Sequence, residues 1–185
     1  MRRSLFLAVV IFSLGGLLSQ SARAQGIHVR DGFTIELGLG LGITHIIPDG
    51  GSSHNEIGLA PLSLSLGGFV TSNLAIMFRM AGTSYYPDVP GTNISVALLG
   101  FYGVHVQYWI NDMLFVSGGP GLALYGINPW DNDSDLEGFG FGLRAGFSFA
   151  NWENHSLRVS LELFPSFFEN MTVMAEAINF EWQYF

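Results

Sequence analysis

Six charged side chains stand on the small-residue side of alternating segments in this 185-residue chain. Three are glutamates and three are arginines: Glu36, Arg79, Arg144, Arg158, Glu162 and Glu181. A charge in a narrow protein interior is tolerated when it is paired and hydrogen-bonded. The balanced set therefore predicts a salt-bridge network that closes an interior space. The polar side chains expected to complete its hydrogen bonds are His105, Gln107, Asn179 and Gln183. The alternative is a gate that rearranges to pass ions.

An acidic run provides the one candidate metal site. Asp131, Asp133 and Asp135 alternate as the first ligands of a calcium-binding loop do. Leu136 stands where that loop needs glycine, and Gly142 stands where it needs glutamate. A solvated acidic loop is therefore the prediction, and weak calcium binding is the alternative. The chain has no cysteine, which excludes disulfides and thiolate metal sites, and no cofactor is predicted.

Two Ser–His neighbours are candidates for a nucleophilic site: Ser53-His54 with Glu56, and His155-Ser156. Adjacent residues on a strand point to opposite faces, so neither pair can be argued as part of a catalytic triad. The prediction is a non-enzyme, with a lipid-modifying membrane enzyme as the less favoured alternative.

The elements that position these residues are strands, because apolar and small or polar residues alternate with period two. The first segment sets Phe33, Ile35 and Leu37 against Thr34 and Glu36. Seven more segments follow, with connections predicted at 47–56, 71–73, 87–93, 111–112, 128–137, 150–155 and 169–170. Eight strands with alternately long and short connections predict an all-β, antiparallel, up-and-down transmembrane barrel.

The two faces differ in bulk. Leucine, isoleucine, valine and phenylalanine dominate one face, and glycine, serine and alanine dominate the other. Small residues suit the narrow lumen of an eight-stranded barrel, so the bulky face is predicted to meet lipid. Charged residues make up 12% of the chain, against roughly 25% in soluble domains.

Four local expectations accompany this assignment. We expect a bulge at Ala60-Pro61, where the alternation changes phase, and a bulge or local distortion at 118–121, where Pro120 lacks a ladder donor. Glu176 falls on the apolar face, so it lies at the outer headgroup level or a bulge turns it inward. Tyr85 is expected in an aromatic belt at the external end.

The N-terminus predicts export. A basic start, an apolar run and the small-residue site Ala22-Arg23-Ala24 indicate a signal peptide over 1–24, cleaved before Gln25. The barrel domain would then span 25–185. The mature chain would carry four arginines, no lysine and fifteen acids, a net charge of 4 − 15 = −11. Nucleic-acid binding is disfavoured because it needs a basic face.

Together these features resemble the small outer-membrane barrels of Gram-negative bacteria, the OmpA-, OmpX- and OmpW-like domains without a peptidoglycan-binding domain. The resemblance implies residence in the outer membrane as a monomer. It also implies contact with outer-membrane lipids and, during biogenesis, with periplasmic chaperones and the assembly machinery. The assembly signal implied is C-terminal, comprising Phe180, Trp182, Tyr184 and Phe185. Tyr184 is in phase with the apolar face and Phe185 is not. The predicted function is a structural or surface-interaction role, with a narrow channel for ions or small solutes as the alternative.

Overall fold

The computed structural model describes residues 30–86, 96–127 and 136–185. These residues form a closed barrel in which eight antiparallel strands follow one another in chain order. Its last strand pairs with its first, from Ile35 opposite Tyr184 to Pro48 opposite Met171. The strands are β1 Phe33–Pro48, β2 His54–Thr71, β3 Leu74–Tyr85, β4 Ala97–Trp109, β5 Leu114–Ile127, β6 Leu136–Asn151, β7 His155–Phe168 and β8 Met171–Tyr184.

The predicted fold class is confirmed, and the alternation explains it. Side chains of bulky outward residues are exposed, as Leu41 is at 65%, whereas their neighbours Gly42 and Thr44 on the other face are buried. The glycine-rich face lines the inside, where a Cβ at several of these positions would collide with atoms of other strands. At Gly42, for example, a Cβ would lie 2.6 Å from the Thr83 methyl group.

The barrel has two distinguishable ends. At the terminal mouth, where β1 begins and β8 ends, the connections are short: 72–73, 110–113 and 152–154. At the loop mouth, the connections cover 49–53, 86–96, 128–135 and 169–170. The first loop-mouth connection is shorter than the predicted 47–56, because β1 extends to Pro48 and β2 begins at His54.

The expected irregularities differ in outcome. The register between β1 and β2 shifts where Gly38 faces Ser63 but Gly40 faces Ala60, so the bulge beside Pro61 is confirmed. No bulge occurs in β5, because the register with β6 continues through Pro120. The β4–β5 register is also the same on both sides of Pro120, but pairing is interrupted at Val104 and His105, so the predicted local distortion is confirmed although no bulge forms. A further bulge, which was not predicted, lies in β6 between Ser148 and Ala150.

An apolar cluster fills the inside of the barrel towards the loop mouth. Its buried members are Ile46, Ala81, Tyr85, Ala97, Leu99, Phe101, Tyr125, Phe164, Val173 and Ala175. The assignment of Tyr85 to an external aromatic belt is wrong, because its side chain is 2% exposed and its phenol oxygen lies 2.5 Å from that of Tyr125. Within the described ranges, no helix is long and apolar enough to cross a membrane.

Candidate functional site

The six charged residues singled out in the sequence meet inside the barrel, on its terminal-mouth side. Glu36 of β1 is one of two glutamates in this charge network whose carboxylates contact all three arginines. Arg79 of β3 approaches it at 2.8 Å, and Arg144 of β6 approaches its second oxygen at 3.2 Å. Arg158 of β7 completes the set. One carboxylate on the first strand thus bonds to side chains from three other strands.

Glu181 of β8 repeats this arrangement on the neighbouring strand. Its carboxylate lies 2.9 Å from Arg144, 3.2 Å from Arg158 and 3.4 Å from Arg79. Glu162 of β7 pairs with Arg79 and lies 3.8 Å from Arg144. Of the nine possible Arg–Glu combinations, 3 + 3 + 2 = 8 are ion pairs. All six side chains are buried.

Neutral polar groups extend the charge network. Ser65 accepts a hydrogen bond from Arg79 at 2.7 Å and donates one to Glu36 at 3.2 Å. The side-chain oxygen Oε1 of Gln183 accepts a hydrogen bond from Arg158 at 2.5 Å, and its side-chain nitrogen Nε2 donates one to Thr34 Oγ1 at 3.0 Å. The amide oxygen of Gln107 accepts from Arg144. These bonds offset the cost of removing the charges from water.

Two predicted members of the network do not join it. His105 Nδ1 lies 3.2 Å from Ser117 Oγ, and its Nε2 has no hydrogen-bond partner among the described residues. The side-chain amide of Asn179 is likewise buried without a partner there. The expectation for these two residues is wrong because strand parity fixes which face a side chain is on, but not how far it reaches.

Two of the three network arginines, Arg144 and Arg158, lie over an aromatic ring inside the barrel. The guanidinium carbon of Arg158 lies 4.5 Å from the ring centroid of Phe115, and that of Arg144 lies 4.9 Å from it. A cation over an aromatic face is attracted by the ring quadrupole. Phe115 therefore attracts both cations, and this attraction offsets part of their mutual repulsion.

Arg30 covers the terminal mouth, a role that sequence reasoning missed. Its guanidinium stacks 3.9 Å from the centroid of Trp109 and donates to the carbonyl oxygen of Asp112 at 2.9 Å. Burial lowers the pKa of Arg30 to about 10, although the Asp112 carboxylate opposes the shift. The residue therefore stays cationic at neutral pH. All four arginines beyond residue 24 lie buried inside the barrel or at its mouth.

The four residues of the predicted assembly signal divide into two groups. Phe180, Trp182 and Tyr184 share the outward face of β8, with Phe180 60% exposed. Phe185 instead packs edge-on against Phe69 and Trp109, with centroid distances of 6.1 and 6.4 Å. The out-of-phase terminal residue therefore covers the terminal mouth. The sequence indicates this placement, because Phe185 continues the alternation of the inward-facing residues Glu181 and Gln183.

Glu176 lies on the outward face as parity predicts, and no bulge turns it inward, because β8 pairs without a register shift on both sides. Its carboxylate Oε1 is 3.7 Å from Nε2 of His45 on β1. His45 Nδ1 in turn bonds to Asn55 Oδ1 of β2 at 2.8 Å. These three residues form an outward polar cluster towards the loop mouth.

The remaining candidate sites gain no support from the geometry. Asp131, Asp133 and Asp135 lie outside the described residues. Across 30–86, 96–127 and 136–185, no three His, Asp or Glu side chains are grouped as a metal site. Ser156 is buried inside the barrel, whereas the ring of His155 lies against Trp152 on the outer surface, with a centroid distance of 5.4 Å.

Solved structures with a similar architecture exist. Neisserial surface protein A aligns with a TM-score of 0.61 at 14% identity, over 82% of this chain and 96% of that chain. The fold is that of the small eight-stranded outer-membrane β-barrels. Ail, the attachment invasion locus protein of Yersinia pestis, aligns with a TM-score of 0.51 at 14% identity in its complex with the heparin analogue sucrose octasulfate. That alignment covers 82% of this chain and 99% of Ail. No protein-family model and no curated protein sequence matches the chain.

Proposed function

We propose that this chain is a bacterial outer-membrane barrel with a structural or surface-interaction role, and that it is not a diffusion pore. The observation that carries the proposal is the charge network, in which Glu36 and Glu181 each contact Arg79, Arg144 and Arg158 inside the barrel. Buried, mutually bonded charges resist displacement, because separating any pair leaves an uncompensated charge.

The outer surface supports embedding in lipid. Glu176 pairs with Ile43 in the β1–β8 register, and Ile43 lies ten positions after Phe33, the first residue of β1. Ten residues cover about 34 Å along a strand, which is about 26 Å along the axis at a tilt of about 40°. An outer-membrane barrel carries an apolar band about 25 Å tall. The outward polar cluster therefore stands at the edge of such a band, where a carboxylate can reach the headgroups.

Three layers of side chains fill the bore, and this filling supports the proposal that solutes do not pass through it. Arg30, Trp109 and Phe185 pack at the terminal mouth, and the charge network lies above them. The apolar cluster around Phe101 and Phe164 follows towards the loop mouth. An eight-stranded barrel has an interior just wide enough for its side chains to fill.

A narrow channel for ions or small solutes is the second candidate. Several buried polar atoms in the bore have no hydrogen-bond partner among the described residues, including His105 Nε2, Gln107 Nε2 and the Asn179 amide. Buried polar groups of this kind are commonly satisfied by internal water. A narrow channel would need a continuous row of such water molecules from one mouth of the bore to the other.

The charge of the loop-mouth segments constrains the charge of a partner that could bind at this surface. The acidic residues of these segments and of the adjoining ends of β2 and β6 are Asp49, Glu56, Asp88, Asp131, Asp133, Asp135, Glu137 and Glu169, and the segments contain no arginine or lysine. Ail was crystallised with a heparin analogue. A polyanion of that kind would be repelled here, so we propose a cationic or neutral surface partner.

The remaining parts of the proposal follow the barrel architecture. The terminal mouth faces the periplasm, to which a signal peptide over 1–24 would deliver the chain. Outer-membrane lipids contact the apolar band of a monomer, and the outward residues Phe180, Trp182 and Tyr184 are read by chaperones and the assembly machinery before folding. We propose no enzymatic activity, because the bonded pair His105–Ser117 is buried in the bore away from substrate.

Conductance in planar bilayers tests the proposal. The protein refolded in detergent, with folding verified by its altered migration in unboiled SDS gels, should give no steady current. Arg79→Gln tests the charge network, and Glu137→Gln, an exposed residue near the loop mouth, is the control. A steady wild-type current that Arg79→Gln abolishes and Glu137→Gln leaves intact would establish the channel instead. A chain that stays soluble without detergent and shows no gel shift would contradict the membrane barrel.

A further inference from the structure

The outward polar cluster of His45, Asn55 and Glu176 has the geometry of an open metal site. The amide oxygen of Asn55 can only accept a hydrogen bond, so His45 Nδ1 carries the proton in the 2.8 Å contact between them. The lone pair of a neutral His45 is then on Nε2, which is the nitrogen nearest Glu176. A histidine whose other ring nitrogen donates to an oxygen is the usual arrangement of a metal ligand.

The gap between the two ligand atoms fits a bridging ion better than a direct bond. His45 Nε2 and Glu176 Oε1 are 3.7 Å apart, beyond the hydrogen-bond range. Zinc binds imidazole nitrogen and carboxylate oxygen at about 2.0–2.2 Å, which separates two tetrahedral ligand atoms by about 3.4 Å. A small movement of either side chain would place both atoms on one ion.

The surroundings allow an ion to enter. The side chains of His45 and Glu176 are 29% and 44% exposed, and they face outward near the loop mouth. Two protein ligands leave the other coordination positions open to water. The ion would join β1 to β8, the two strands whose pairing closes the barrel.

We propose that His45 and Glu176 bind Zn²⁺ or a similar borderline divalent ion, with Asn55 as the residue that positions the imidazole. Because the ion binds the folded barrel across its closing strand pair, it raises the unfolding temperature. The proposal concerns the outer surface and is independent of whether the bore conducts.

Calorimetric titration of the refolded protein with ZnCl₂, in a detergent without phosphate groups, tests this site. The wild-type protein should show one zinc site. His45→Gln and Glu176→Gln should each weaken the zinc affinity of that site at least tenfold. Asn55→Ala should weaken binding by about 10-fold or more, as removal of an outer-shell partner does. His155→Gln is the control, because that imidazole lies among Trp152 and Trp182 near the other mouth.

Thermal unfolding provides an independent reading. Zinc should raise the midpoint of the wild-type protein and of His155→Gln, and it should leave the midpoints of His45→Gln and Glu176→Gln unchanged. Zinc X-ray absorption of the wild-type complex should show an imidazole ligand. Equal zinc affinity and equal thermal shifts in the wild type and in both variants would overturn the proposal.

Discussion

The guanidinium carbon of Arg30 lies 3.9 Å from the ring centroid of Trp109, so a residue that precedes the first strand stacks on the last residue of β4. Phe185 approaches the same cation at 5.6 Å from the opposite end of the chain. The terminal mouth is therefore built from segments that are far apart in sequence, and its packing depends on a completed barrel.

Replacing Arg30 tests how much this contact stabilises the barrel. Arg30→Gln removes the cation–π contact, worth about 2 kcal/mol when desolvated, and alters the bond to the Asp112 carbonyl. We expect the free energy of unfolding to fall by about 1–2 kcal/mol in urea titrations of the detergent-refolded protein. Asp31→Asn, an exposed neighbour, should be neutral. Equal stability of Arg30→Gln and the wild type would show that the stack contributes little.

Phe185 should stabilise the folded barrel even where no assembly machinery is present. Phe185→Ala keeps the backbone bond to Asn154 but removes the ring contacts with Phe69 and Trp109. We expect a loss of about 1–3 kcal/mol after refolding in detergent, with Phe185→Leu recovering part of it. If Phe185→Ala unfolds at the same urea concentration as the wild type, the Phe185 ring does not stabilise the folded barrel.

The Tyr85–Tyr125 hydrogen bond offers a test of polar satisfaction inside the apolar cluster. Tyr125→Phe leaves the Tyr85 hydroxyl buried without its 2.5 Å partner, at a cost of about 1–3 kcal/mol. The double variant Tyr85→Phe/Tyr125→Phe removes both hydroxyls and should restore most of that stability. A double-mutant cycle of urea unfolding measures the coupling, and additive losses would contradict it.

Glu36 should be a highly sensitive position in the charge network, because it contacts all three arginines, as Glu181 also does. Glu36→Gln leaves excess positive charge in the bore, and breaking a buried ionic cluster costs about 3–5 kcal/mol. Glu137→Gln is the matched exposed control and should change stability by less than about 0.5 kcal/mol. Unboiled-gel migration and urea unfolding measure both variants, and equal effects would show that the network is not selectively stabilising.

Strand parity made much of the architecture predictable. A side chain on a strand can take only two directions, so Glu36 and Arg158 had to share the inside once the bulky face was assigned outward. Charge balance then implied contact between them. The apolar alternation also located both strand ends to within a few residues, as in β3 and β7.

Parity could not predict how far a side chain reaches or what covers a mouth. Tyr85 was expected in a belt because tyrosines prefer interfaces, yet its buried bond to Tyr125 requires knowing that β3 and β5 lie on either side of β4 and that both side chains point inward. Arg30 precedes the first strand and is not part of an alternating pattern, so its neighbours in sequence do not predict its contact with Trp109. Glu176 was recognised as a misfit, but its neighbour His45 appears only through the β1–β8 register.

The antiparallel pairing of β1 with β8 brings the two ends of the described chain to the same rim, with Arg30 next to Phe185. A short flexible linker could therefore join them without disturbing any strand. New termini could then be opened in the 49–53 turn, since exposed loop tips are the sites where circular permutation succeeds. A permuted chain of this kind would keep every hydrogen-bonded ladder while moving the free ends to the loop mouth of the barrel.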